Sequence, residues 1–238
     1  MSRNLFFIAV FIFTYTTIHA QTIMLAQDVN KDTIIPTKGA NRKNFTHSYI
    51  GYGFVIGKSD NEGIKTNFGS GEFIFGIRYK RKISNFYSCG FDINYNSKLY
   101  KIKQDSMKIF PNNVLHTKEK LVFHNIGLVL YNRFNFGKRG DYVGNFIDVG
   151  AYTDWGFNSQ YVTYDKYAVV NAVSASNTKQ IHSGLTYLNP INYGITARLG
   201  FNKFVLSASY RLSEIFETSY IYPELPRLIL GVQLAIYR

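Results

Sequence analysis

The chain has 238 residues, a formal charge of +12, 19 Tyr and 20 Phe, 19 Gly and one cysteine. That length suits one domain of about 200 residues plus a leader, and a single cysteine excludes an internal disulfide framework. A basic chain favours anionic partners. It carries no nucleic-acid-binding motif and starts with an export signal, so phosphorylated lipid headgroups fit better than nucleic acid.

The first twenty residues read as that signal. Arg3 gives a positive start, Leu5 to Phe13 is an unbroken apolar run, and Ile18-His19-Ala20 precedes Gln21. The run is too short to cross a bilayer as a helix and has the layout of a signal peptide cleaved after Ala20. No later stretch offers eighteen consecutive apolar residues, so any passage through a membrane must use strands. Residues 21–45 are polar and irregular and read as a periplasmic N-terminal extension. Residues 46–238 form the remaining domain.

From there a period of two takes over. A strand near 47–57 sets Ile50, Tyr52, Phe54 and Ile56 against Gly51 and Gly53. After the polar stretch Lys58–Asn67, a second near 69–80 sets Phe73, Phe75, Ile77 and Tyr79 against Gly76 and Arg78. A tight basic turn leads to a third near 86–99, with Tyr87, Cys89, Phe91, Ile93 and Tyr95 opposite Ser88, Gly90, Asp92 and Asn94. A long basic connection, Tyr100–Glu119, precedes a fourth near 120–134, where Ile126, Leu128 and Leu130 oppose Asn125, Gly127, Tyr131 and Arg133.

The short Gly-rich turn Gly137–Gly144 opens a fifth strand near 145–157. It carries Ile147, Val149, Ala151 and Trp155 on one face and Asp148, Gly150, Tyr152 and Asp154 on the other. The longest connection, Asn158–Leu185, leads to a sixth near 187–199, with Tyr193, Ile195, Ala197 and Leu199 against Asn192, Gly194, Thr196 and Arg198. Gly200–Lys203 is a tight hairpin turn in which Asn202 suits a left-handed conformation. The seventh, near 204–213, and an eighth that includes Leu228, Leu230, Val232, Leu234 and Ile236 flank the connection Glu214–Pro226.

Connections one, three, five and seven are long and polar, and two, four and six are short. That order predicts an all-β, eight-stranded antiparallel up-and-down transmembrane β-barrel with short periplasmic turns and long extracellular loops. The alternative is a soluble eight-stranded barrel with the apolar faces inside; parity alone does not choose between them. Glycine favours the first, because the small parity is rich in it and a narrow lumen needs small residues.

On this reading nine inward charges form a lumen network. Arg78, Arg133 and Arg198 lie near the periplasmic end, with Asp92 and Asp148 a little higher; Glu72, Asp154, Arg211 and Arg227 make a second group toward the outer end. Buried ions need partners, so a plug of salt bridges is expected in preference to an ion path. The basic connection carries Lys101, Lys103, Lys108 and Lys118, positioned to meet lipopolysaccharide phosphates or only solvent. No catalytic, cofactor-binding or metal-binding residues are assigned. His47, His116, His124 and His182 read as interface or loop residues, Cys89 as a small hydrophobe, and the chain as non-enzymatic. The open alternatives are a lipid-A-modifying hydrolase or acyltransferase, which would need a histidine near a hydroxyl and a carboxylate, and a narrow transport or secretion-associated barrel.

With these elements in place, the chain resembles the small outer-membrane β-barrel proteins of Bacteroidota, including the PorT-like barrel domain family. The resemblance spans about residues 45–238. It is carried by the Ala20-Gln21 junction, Gly51-Tyr52-Gly53-Phe54, Phe75-Gly76-Ile77-Arg78-Tyr79 and Leu230-Gly231-Val232. It implies assembly by the barrel-assembly machinery and residence in the outer membrane. Some PorT-like members assist a protein secretion system, which would make a secretion-system component a further partner.

Overall fold

The computed structural model describes residues 39–57, 69–106, 108–137, 142–167, 176–220 and 222–237. The leader at 1–20, most of the extension at 21–45 and the connection Lys58–Asn67 lie outside them. No described residue is helical, and the strands are β1 (Asn44–Ile56), β2 (Gly71–Lys82), β3 (Tyr87–Ile102), β4 (Lys118–Phe136), β5 (Asn145–Tyr167), β6 (Ser176–Ser183), β7 (Ile191–Phe201), β8 (Phe204–Arg211) and β9 (Leu228–Ile236).

Every pairing is antiparallel. β1 pairs with both β2 and β9, β4 with β5, and β5 with β7, so eight strands close on themselves with β6 outside the ring. The result is an up-and-down barrel. Its turn end holds β2–β3, β4–β5 and the two-residue link Asn202-Lys203 between β7 and β8, where Asn202 takes φ +56°. Its loop end holds the long connections.

Burial alternates along the barrel strands, residue by residue along β7 from Ile191 to Phe201, and its sense settles which face is inward. The Leu/Ile/Phe/Tyr parity is outside: Leu130 is 60% exposed, Phe204 64% and Ile93 54%, while Arg78, Asp92 and Arg133 are fully buried. A soluble barrel would show the reverse. The small residues inside have a steric reason. A Cβ on Gly127 would stand 2.5 Å from Asp154 Oδ1 and 2.7 Å from Asn94 Oδ1, so only glycine lets that carboxylate of β5 reach over β4 to Asn96 and Lys98 of β3.

The structure differs from the sequence reading above the ring. The connection expected at Asn158–Leu185 is in part strand: β5 continues to Tyr167 and returns as β6, with Gln160 opposite Ser183 and Tyr167 opposite Ser176. The cause lies at one residue. His124 pairs with Asn158 but Asn125 pairs with Gly156, leaving Phe157 as a bulge. A bulge flips the inward parity, so Asp154 points in from below it and Tyr161 and Thr163 from above. A single period of two cannot follow that switch. β1 likewise begins at Asn44, three residues before its expected start, which moves Asn44 and Phe45 out of the extension and into the barrel.

Candidate functional site

The lumen is filled in layers. At the turn end Phe45, Val143, Phe146 and Val205 form an apolar floor, against which Ala40 and Tyr237 pack. The first charge group lies above it. Arg133 grips Asp148 through two hydrogen bonds, Nε to Oδ1 at 2.7 Å and Nη2 to Oδ2 at 2.9 Å. Arg78 Nε lies 3.0 Å from both oxygens of Asp92 and its Nη2 donates to Gln233 Oε1 at 2.8 Å. Arg198 joins the two pairs, donating from Nη1 to Asp92 Oδ2 and holding Nε 3.3 Å from Asp148 Oδ2, an ion-pair distance without hydrogen-bond alignment.

Three guanidiniums thus share two carboxylates. Arg78 Nη1, Arg133 Nη1 and Arg198 Nη2 have no hydrogen-bond partner. Aromatic faces supply part of the compensation: Arg133 lies 3.5 Å over the Phe146 ring centroid, Arg78 4.3 Å over Tyr49 and Arg198 4.7 Å over Tyr131. Such stacking is worth about 2 kcal/mol or more where the cation is desolvated.

The second charge group is not the one the sequence suggested. Glu72 and Asp154 do meet, but through Lys98, whose Nζ pairs with Asp154 Oδ2 and lies 3.7 Å from Glu72 Oε1. Arg211 pairs instead with Glu224 Oε1 at 2.6 Å and donates to the carbonyls of Ser213 and Leu225. Arg227 is half-exposed and donates to the Leu212 carbonyl. The reason is position. Arg211 closes β8 and Arg227 precedes β9, so both serve the connection between those strands and stay out of the lumen network. Lys98 was legible as inward, since it shares parity with Asp92 and Asn94. Lys80 shares parity with Arg78; it too is fully buried and donates to the Ala40 carbonyl.

An amide ladder joins this group to the wall: Asn125 donates to Asn96, and Asn96 to Asn94 and Asp154. A cavity of about 50 Å³ remains between the two charge groups, lined among others by Tyr49, Asn94, Asn96, Thr196, Ser209 and Gln233. It has room for one or two waters.

The loop end is closed by an apolar cap. Tyr100, Ile102, Leu121, Phe123 and Tyr161 point in from the strand ends, and Phe110, Ile215, Phe216 and Leu225 come from the connections that fold over the mouth. At the same end Lys108 and Glu119 form an ion pair at 2.6 Å, both side chains fully buried. Lys108 is therefore withdrawn from the surface where the sequence placed it. His116 Nδ1 lies 2.8 Å from Asp165 Oδ2, tying the β3–β4 connection to the top of β5, and holds the Asp165 carboxyl below its ordinary range.

The other histidines divide. His47 is inward and buried, stacked 4.9 Å from Phe45, and so is neither an interface nor a loop residue; it shares the inward parity of Tyr49, Gly51 and Gly53, and the early start of β1 supplies the Phe45 ring beneath it. His124 is on the outer face with Nδ1 2.7 Å from the Tyr95 hydroxyl, and His182 stacks on Tyr161. No group of three His, Cys, Asp or Glu side chains spaced for a metal occurs among the described residues.

No family model matches the chain, and no curated protein matches it. Among solved structures, it is similar to the crystal structure of Ail, the attachment invasion locus protein of Yersinia pestis, in complex with the heparin analogue sucrose octasulfate. The similarity covers 80% of this chain and 97% of that one, at 13% identity and a TM-score of 0.34. The barrel is read from the strand pairing of this chain and owes nothing to that likeness.

Proposed function

We propose that this chain is an integral outer-membrane β-barrel with a plugged lumen, which acts without catalysis as an interaction surface at its loop end. One observation carries the reading: the barrel is inside out. Ile77, Ile93, Leu130, Val149, Ile195, Leu206 and Val232 are exposed on seven of the eight ring strands, and Tyr52 and Phe54 on the eighth, around a lumen of buried ions. Soluble monomers rarely expose contiguous apolar patches beyond a few hundred Å², whereas hydrocarbon requires such a belt and a closed backbone. The short links then lie in the periplasm and the capped mouth outside. Export through the leader at 1–20 and folding by the barrel-assembly machinery belong to the same proposal, as does kinship with PorT-like barrels.

Heat-modifiable migration tests it. The protein extracted from outer membranes should run faster unboiled than boiled, and planar bilayers should show no steady single-channel current. Equal migration with recovery in the soluble fraction would sink the membrane reading, and steady conductance would sink the plug.

A further inference from the structure

Lys101 at the end of β3 lies directly opposite Lys120 on β4. Like charges placed directly across an antiparallel pair destabilise it. Lys118 holds the next position of that parity on β4 and Lys103 lies just past the end of β3, and all four line one cleft of about 630 Å³ with Gln104, Thr117 and Tyr164. The acid in the cleft, Glu119, is already engaged. Its Oε1 accepts the Tyr161 hydroxyl at 2.6 Å, and its Oε2 meets Gln104 Nε2 and Lys108 Nζ, each at 2.6 Å.

Among the described residues no carboxylate forms an ion pair with Lys101, Lys103, Lys118 or Lys120. The frame around them is fixed. The Lys101 backbone N–H donates to Ser70 Oγ at 2.9 Å, and Lys120 Nζ lies 5.6 Å from the Tyr164 ring centroid. From β6, where it pairs opposite Tyr164, Lys179 brings a fifth ammonium 5.8 Å from the same ring centroid.

Height selects the ligand. Two residues below the lysines, Leu99 and Val122 share their outward parity; Ser97 and His124 follow, and the apolar belt runs on from Tyr95 and Ile126 through Ile93 and Leu128. An unneutralised cluster at that boundary faces the headgroup layer. We propose that this cleft binds the phosphate of a lipid headgroup in the outer leaflet, an inference that rests on the membrane reading above.

The test compares the full chain, purified from outer membranes, with K101Q/K103Q/K118Q/K120Q. Each is placed in nanodiscs of zwitterionic lipid doped with lipid A carrying two phosphates, and retained lipid A is counted by native mass spectrometry. A lysine near an anionic surface contributes about fivefold in affinity, and screening lowers this, so retention should fall at least tenfold in the variant. With dephosphorylated lipid A the two proteins should behave alike. The control R81Q/K203Q, at the turn end, should retain lipid A as the parent does.

Undiminished retention by the quadruple variant overturns the proposal. So does binding of inorganic pyrophosphate as tight as that of lipid A, which would assign the cleft to a soluble polyanion. Heat-modifiable migration of the variant shows that the barrel stands, so failure of the cleft and failure of the membrane reading give different results.

Discussion

The lower charge layer of this lumen and the cap at its mouth meet the same demand with opposite chemistry. Eight strands enclose a bore that side chains must fill. Near the turn end Arg78, Arg133 and Arg198 share Asp92 and Asp148; at the loop end Phe110, Phe216, Tyr100 and Leu121 exclude water by apolar burial. The difference follows from who supplies the filling. The lower layer comes from strand positions fixed by the ladder, whose geometry can hold bidentate ion pairs. Much of the upper layer comes from connections, and apolar contact tolerates their looser placement. Lysine 108 is the exception at the top, and it has its own carboxylate.

That contrast predicts different failures. Replacing Asp92 with Ala removes the carboxylate shared by Arg78 and Arg198 and leaves two buried guanidiniums short of a partner. Breaking a buried pair in this way costs about 3–5 kcal/mol. Because the pairs tie β2 to β3 and β7 across the bore, the whole barrel should weaken: urea unfolding in lipid vesicles should shift to lower denaturant, and the unboiled fast-migrating band should be lost at a lower temperature. An unchanged midpoint would mean that the charge layer fills space without holding the wall.

Phe110→Ala is the matching change at the top. Phe110 is fully buried and touches the rings of Tyr187, Phe216 and Tyr222. Its truncation should cost about 3 kcal/mol, confined to the cap, since the connections can open while the ladder stays closed. Proteolysis of the β3–β4 connection should speed up while the migration shift persists. Loss of both together would erase the distinction between the two ends.

How much of this the sequence showed varies with the same geography. The eight ring strands and the shared face of Arg78, Asp92, Arg133, Asp148 and Arg198 follow from strict alternation, because a ladder position dictates which way a side chain points; which face is outward rested on glycine, and which charges pair was not legible. Alternation failed where the ladder is irregular. The Phe157 bulge hid the upper half of β5 and all of β6, and the early start of β1 brought Phe45 into the lumen beside His47. Arg211 and Arg227 found other partners for a related reason. Both stand at strand ends beside a connection: Arg211 keeps its inward parity and is buried but takes Glu224, and Arg227 turns to the Leu212 carbonyl. The cap could not be read at all, since Phe110 and Phe216 sit in connections with no period, and only tertiary folding brings them over Leu121.

The smallest effect expected is at the strap between His116 and Asp165. The Asp165 carboxyl sits below its ordinary value of 3.8, chiefly because of the hydrogen bond with His116, helped by the Thr117 backbone N–H. A carboxylate whose folded value is depressed contributes stability that is present above the ordinary value and lost as pH falls through the folded one. The strap should therefore hold at neutral pH and at pH 4, then release in more acidic solution. A ¹³C titration of Asp165 should give a midpoint below 3.8, and His116→Ala should move it upward toward that value. The Thr117 N–H contact should keep it from arriving fully. A midpoint unmoved by His116→Ala would assign the depression to the Thr117 backbone donor, so that the His116 ring adds nothing to an anchorage of the β3–β4 connection already made by that donor, the Lys108–Glu119 pair and the apolar cap.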